Sequence, residues 1–169
     1  MSLKIYVDGS AHPNPGPGGW GRVVINERDE IIETISVQFT EEAVTNNRME
    51  LMAVLSTMRD YGVQPKEGFS IGEIPIVYCD SGYVVNTFNN WMFNWANNNW
   101  IKSDKKIPEN LDIIAEYYKL YQSGYRIDLQ KIRGHAGNQY NELADKLATG
   151  KFKKDNENKE EIYFYECKR

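Results

Sequence analysis

The 169-residue chain is 41% hydrophobic and has no run near the roughly 18 apolar residues that a membrane span needs, so one globular domain is expected and a membrane protein or disordered chain is not. Its two cysteines, Cys79 and Cys167, form no CxxC pattern, and Met1 to Ile5 enters a strand pattern instead of an apolar signal segment, which argues against disulfides or zinc and for a cytoplasmic location. The net charge of −4 speaks against a nucleic-acid partner only until four carboxylates are set aside as a cation site; the 24 acids then fall to the number of the 20 Lys and Arg.

Taken in chain order, Leu3, Ile5 and Val7 alternate with Lys4, Tyr6 and Asp8, a strand of period two. The turn-rich segment Ala11 to Gly19 is expected to interrupt it, and Trp20 to Ile25 and Glu30 to Phe39 read as two further strands of an antiparallel meander. From Asn47 to Tyr61 the spacing of Leu51, Leu55 and Met58 becomes helical, and Gly62 stops it. Ile74 to Cys79 suits a buried strand. Helical patterns follow at about 81–89, 91–98 and 109–122, then a strand from Arg126 to Ile132 and a helix from Asn138 to Thr149. A meander followed by strand–helix alternation implies an α/β fold with a mixed sheet covered by helices. Residues 1–150 are expected to form the domain and 151–169 a charged extension, in which Ile162 to Tyr165 either docks as an edge strand or stays mobile.

Four carboxylates sit at chain junctions: Asp8 and Asp80 end strands, and Glu50 and Asp145 lie early in helices. Each has an ordinary explanation. Asp8-Gly9 is a favoured turn, Asn47 to Glu50 has capping-box spacing, Asp80 suits an N-cap, and Asp145 suits a helix dipole. A carboxylate cluster without Cys or His ligands is, however, what a hard, oxygen-seeking cation requires.

The motifs in series carry more than any one alone. Asp8-Gly9-Ser10 with Asn14 to Gly19, then Thr45 to Leu51, Asp80-Ser81, His135-Ala136-Gly137 and Asn141 to Asp145 closely resemble type 1 ribonuclease H over residues 3 to 150. The resemblance implies the ribonuclease H-like fold, a five-stranded mixed sheet flanked by helices, with the first strand central and beside the Asp80 strand. It implies Asp8, Glu50, Asp80 and Asp145 as catalytic acids and ligands of two Mg²⁺ ions, with Mn²⁺ a possible substitute. Asp8 would bridge the ions, Asp145 would serve the ion that activates water, and Glu50 and Asp80 the ion at the leaving 3′ oxygen. His135 would assist proton transfer or product release. The expected reaction is endonucleolytic cleavage of the RNA strand of an RNA–DNA hybrid by a monomer, leaving 5′-phosphate and 3′-hydroxyl ends.

The same resemblance assigns reading of 2′-hydroxyls to Asn14, Asn46 and Asn47 and the hold on a DNA-strand phosphate to Thr45 and Asn110. Trp91 and Trp95, with Trp100 and Lys102, Lys105 and Lys106, resemble the protruding handle of bacterial members, although spacing alone reads the tryptophans as core. Three features depart from the pattern: Gly82 stands where Gln is frequent, Ala43 where Arg is frequent, and Asn86 to Ile101 holds seven asparagines and no Lys or Arg. A DNA-directed nuclease of the same fold, or a non-catalytic hybrid binder, are the competing readings. The 2′-hydroxyl-reading segment Thr45 to Glu50 opposes the first, and retention of four mutually repelling acids opposes the second.

Overall fold

The computed structural model describes residues 2–65, 73–134 and 137–151 and the backbone of 163–167. Its strands are β1 (Lys4–Ala11), β2 (Gly16–Ile25), β3 (Ile31–Val44), β4 (Ile76–Cys79), β5 (Asp128–Lys131) and β6 (Tyr163–Cys167). They form one mixed sheet in the order β5-β4-β1-β2-β3-β6. β1, β2 and β3 are the antiparallel meander, and β4 and β5 run parallel to β1 on its other side. The five expected strands are therefore present with β1 beside β4. β6 is a sixth, parallel to β3 at the sheet edge, which decides the fate of the tail's apolar end. The charged run 153–161 lies outside the described residues.

The helices are α1 (Asn46–Tyr61), α2 (Gly82–Asn86), α3 (Met92–Asn97), α4 (Leu111–Gln122) and α5 (Gln139–Thr149). Strand alternation sends side chains to two different cores. Ile5, Val7, Trp20 and Val24 join Leu51, Val54 and Met58 of α1, Phe88 and Met92, and Ile114 and Tyr117 of α4 in the larger one. Tyr6, Val23 and Ile25 meet Ala144 and Leu147 of α5 in a smaller one on the opposite face.

Boundaries differ from the sequence reading for local reasons. β2 begins at Gly16, inside the expected turn, because glycine permits the hairpin to close: a Cβ on Gly18 would stand 2.4 Å from the Ser10 carbonyl oxygen. α1 is capped by Thr45, whose hydroxyl accepts from the Arg48 amide at 3.1 Å, so Glu50 lies too deep in the helix to complete a capping box. The two expected helices at 81–89 and 91–98 are one continuous rod, with α2 and α3 joined through a π-helical turn, Thr87–Trp91. The last strand is shorter than expected, and Arg126 makes only an isolated bridge to Val63. No described helix is long and apolar enough to cross a membrane.

Candidate active site

Backbone register brings the first two acids together. Tyr6 pairs with Tyr78 across the parallel β1–β4 ladder, so the same offset sets Asp8 and Asp80 at one level. Asp80 lies just past the end of β4 and Asp8 inside β1, which runs on to Ala11 instead of ending at Asp8 as expected because Gly9 to Ala11 still pair with β2. Two glycines then admit the helices. A Cβ on Gly9 would lie 2.4 Å from the Glu50 amide nitrogen, so only a bare α-carbon lets the first turns of α1 rest on the end of β1. Gly21, the antiparallel partner of Asp8, does the same for α5: a Cβ there would lie 2.6 Å from the Ala144 carbonyl oxygen. Glu50 and Asp145 are thereby delivered to Asp8 from opposite faces of the sheet.

One oxygen from each of Asp8, Glu50 and Asp80 lies within 4.8 Å of the others. Asp145 is outside that tightest group but adjoins Asp8, whose carboxyl it helps to push up. The Gly9 amide donates to Asp8 Oδ1 at 2.9 Å. Ser81 donates to Glu50 while its hydroxyl oxygen accepts from the Val84 amide at 3.3 Å, so one side chain both caps α2 and orients an acid. Gly134 closes the cleft on the other side, its bare α-carbon set where a Cβ would be 3.0 Å from Asp80 Oδ2.

The electrostatic cost of this cluster is visible in its protons. Burial, then the charges of Asp80 and Glu50, push the Asp8 carboxyl up to about 9. Burial and the Asp80 charge push Glu50 up to about 7. Without a cation the cluster therefore holds protons near neutral pH. The donors are all hard carboxylate oxygens, which fit a divalent cation of the Mg²⁺ type.

The residues assigned to substrate lie around this cluster. Asn14 Oδ1 accepts from the Asn46 amide at 3.2 Å, and Asn46 Oδ1 accepts from the Ala11 amide at 2.6 Å, so the two side chains clasp the β1–β2 loop to the start of α1. Asn47 lies in a cleft of about 500 Å³ with Tyr83, Trp91, Trp95, Lys102 and Glu109. Trp91 is exposed and Trp95 packs partly against the core, with ring centroids 6.2 Å apart; Trp100 is packed edge-on to Tyr118. The spacing-based core reading thus holds for Trp95 and Trp100 and fails for Trp91. Thr45 and Asn110 are linked through Arg48, whose backbone amide donates to Thr45 and whose Nη1 donates to Asn110 Oδ1 at 3.1 Å. Asp112 holds the same guanidinium by two bonds, at 2.7 and 3.1 Å.

His135 lies outside the described residues. Sequence reasoning passed over Gly21, Gly134, Ser81 and Arg48 as parts of the site. Gly21 and Gly134 owe their importance to contacts far away in the chain, which no local pattern displays. The N-cap expected of Asp80 falls one residue later, on Ser81, whose hydroxyl accepts from the Val84 amide and leaves Asp80 to the cluster.

The sequence profile of the RNase H family matches residues 1–153. A "Ribonuclease H" of Caldanaerobacter subterraneus subsp. tengcongensis is 40% identical over 153 residues, spanning 90% of this chain and 92% of that protein. Another from a Thermoanaerobacter species is 37% identical over 154 residues, with 90% and 91% covered. Among solved structures, LC9-RNase H1, a type 1 RNase H with the type 2 active-site motif, superposes with a TM-score of 0.63 at 28% identity over 86% of this chain and 69% of that one. LC11-RNase H1 in complex with RNA/DNA hybrid shares the fold, with a TM-score of 0.60 at 21% identity over 87% of this chain and 94% of its own.

Proposed function

The chain belongs to the ribonuclease H family, and on that premise we propose that it is a divalent-metal-dependent endonuclease cutting the RNA strand of RNA–DNA hybrids to 5′-phosphate and 3′-hydroxyl ends. The observation that carries the reading is the convergence of Asp8, Glu50 and Asp80 within 4.8 Å, where β4 ends beside β1. Divalent cations bound there, two Mg²⁺ ions in this reading with Mn²⁺ as a substitute, supply positive charge on both sides of an in-line phosphoryl displacement.

The protein's own groups do the rest. Asp8, Glu50, Asp80 and Asp145 hold the cations, and Ser81 keeps Glu50 aimed at them. Burial of Asp8 keeps water from its own carboxyl group, which strengthens the charge interactions it makes, while Glu50 and Asp80 stay partly open to solvent. His135 carries a proton to or from the reacting phosphate region. Asn14 and Asn46 spend their amide oxygens on backbone donors, so their NH₂ groups are the ones left to meet 2′-hydroxyls, and Asn47 stands beside them. Thr45 and Asn110 meet a phosphate of the DNA strand, held at a set separation through Arg48. Trp91 offers an exposed face to a sugar or base.

The test is cleavage of end-labelled hybrid, duplex DNA and duplex RNA in Mg²⁺ and in EDTA, with Asp8→Asn alongside. Hybrid cleavage confined to the RNA strand, abolished by EDTA and by Asp8→Asn, is expected. Cleavage of duplex DNA at a comparable rate, or an Asp8→Asn variant near the wild-type rate, overturns the reading.

A further inference from the structure

Gly82 follows Asp80 and Ser81 at the mouth of the carboxylate cluster and carries no side chain, yet its surface is covered. A Cβ built there would lie 3.4 Å from Cε and 3.9 Å from Cδ of Lys131, whose stem runs across the bare backbone. The ladder explains this placement: Lys131 is the parallel partner of Cys79 and ends β5 just where β4 gives way to Asp80. Lys131 is exposed, with its Cδ and Cε against Gly82, so its ammonium, one bond beyond Cε, is open to solvent beside the residue that follows Asp80 and Ser81.

Among the described residues no carboxylate is paired with that charge. Among the described residues the arginines on or beside α1 are spent, Arg22 on Glu33 and Asp60, Arg48 on Asp112 and Arg59 on Glu116, whereas no described carboxylate lies in ion-pair range of Lys131. The rod from Asn86 to Ile101 contributes no cation at all. A lysine whose apolar stem packs on glycine loses little further freedom when its head binds an anion. From this arrangement we infer that Lys131 is a substrate-positioning residue that contacts a backbone phosphate of the strand lying over the carboxylate cluster. The inference rests on the hybrid-cleaving function proposed above, and a single cationic contact is the chemistry that Gly82 leaves room for.

The test compares the wild type, Lys131→Met, which keeps the stem and removes the charge, and Lys131→Arg, which keeps the charge. Labelled RNA–DNA hybrid is titrated in Ca²⁺ across a salt series, with steady-state cleavage in Mg²⁺ and thermal melts measured in parallel. Lys131→Met should lower the slope of log K against log salt by about 0.7 to 0.9, one phosphate contact, and raise KM with little change in kcat or melting temperature. Lys131→Arg should keep the wild-type slope. An unchanged slope and KM in Lys131→Met, or a Lys131→Arg variant that behaves like it, overturns the inference while leaving wild-type hybrid cleavage intact. Failure of the wild type to cut hybrid would instead overturn the function itself.

Discussion

Replacing Gly21 by Ala tests whether the fold places Asp145 by helix packing. The added carbon would stand 2.5 Å from Leu147 Cβ, 2.6 Å from the Ala144 oxygen and 2.8 Å from the Ala148 nitrogen, where ordinary contact begins at 3.4 Å. Backbone atoms cannot swing aside as a side-chain tip does, so α5 must retreat by about 1 Å, and Asp145, next to Ala144, goes with it. Overpacking of this kind costs about 1–3 kcal/mol, which in a chain of this size lowers the melting temperature by roughly 2–12 °C. A displacement of about 1 Å in a catalytic group can cost on the order of 100-fold in rate. Thermal melts followed by circular dichroism, and single-turnover hybrid cleavage at a temperature where the variant is folded, separate the two effects. A variant that melts early yet turns over at the wild-type rate would show that Gly21 supports packing alone; one that matches the wild type in both would show that α5 does not press on β2 as described.

Three other perturbations read different layers of the same structure. Asp8 and Glu50 carry raised folded-state pKa values, so the stability linked to them is complete below about pH 4 and lost as pH rises, through about 7 for Glu50 and about 9 for Asp8. Asp8→Asn should therefore out-melt the metal-free wild type by a margin that widens from pH 5 to 9 and narrows on adding Mg²⁺; a lower melting point at pH 8 would contradict this. Arg22→Met removes a buried guanidinium bonded to Glu33 and Asp60 at 2.8 Å each, and should cost roughly 3 kcal/mol in urea unfolding. A loss under about 1 kcal/mol would mean that the network is not coupled to folding. His135→Ala should slow turnover by about 100-fold without abolishing it, as measured by kcat in Mg²⁺, and complete inactivity would make the histidine indispensable.

What the sequence made legible was whatever is encoded within a few residues. The alternation of Leu3 to Asp8, the helical spacing of Leu51, Leu55 and Met58, and the Asp-Gly and Asp-Ser junctions all announce themselves locally. Resemblance added the link between acids more than 130 residues apart. The misreadings share one cause, since each depended on a partner elsewhere in the chain. Asn47 looked like a cap until Thr45 was seen taking the Arg48 amide, and Gly16 to Gly19 looked like a turn until their strand partners were in place. Trp91, Trp95 and Trp100 have one composition but three environments, which only the packing of α3 and α4 separates.

The division of the sheet into two unequal cores bears on why such a site can persist. Asp8 is only 6% exposed, and burying it among other acids opposes folding unless cations or protons neutralise the cluster. The larger core, on the α1 face, is continuous from β1 through α1 to α4 and meets the acids where Gly9 admits Glu50 and where buried Cys79 precedes Asp80. The smaller core beneath α5 is built by Tyr6, Val23 and Ile25 with Ala144 and Leu147, and Tyr78, Ile132, Tyr140 and Leu143 pack around it beside Asp145. Charge repulsion within the cluster is relieved by protons on Asp8 and Glu50 when no cation is bound. A divalent cation bound to the three carboxylates that converge there would supply the neutralising charge that burial otherwise draws from protons on Asp8 and Glu50, so metal affinity and folding stability would be linked through the same pair of acids.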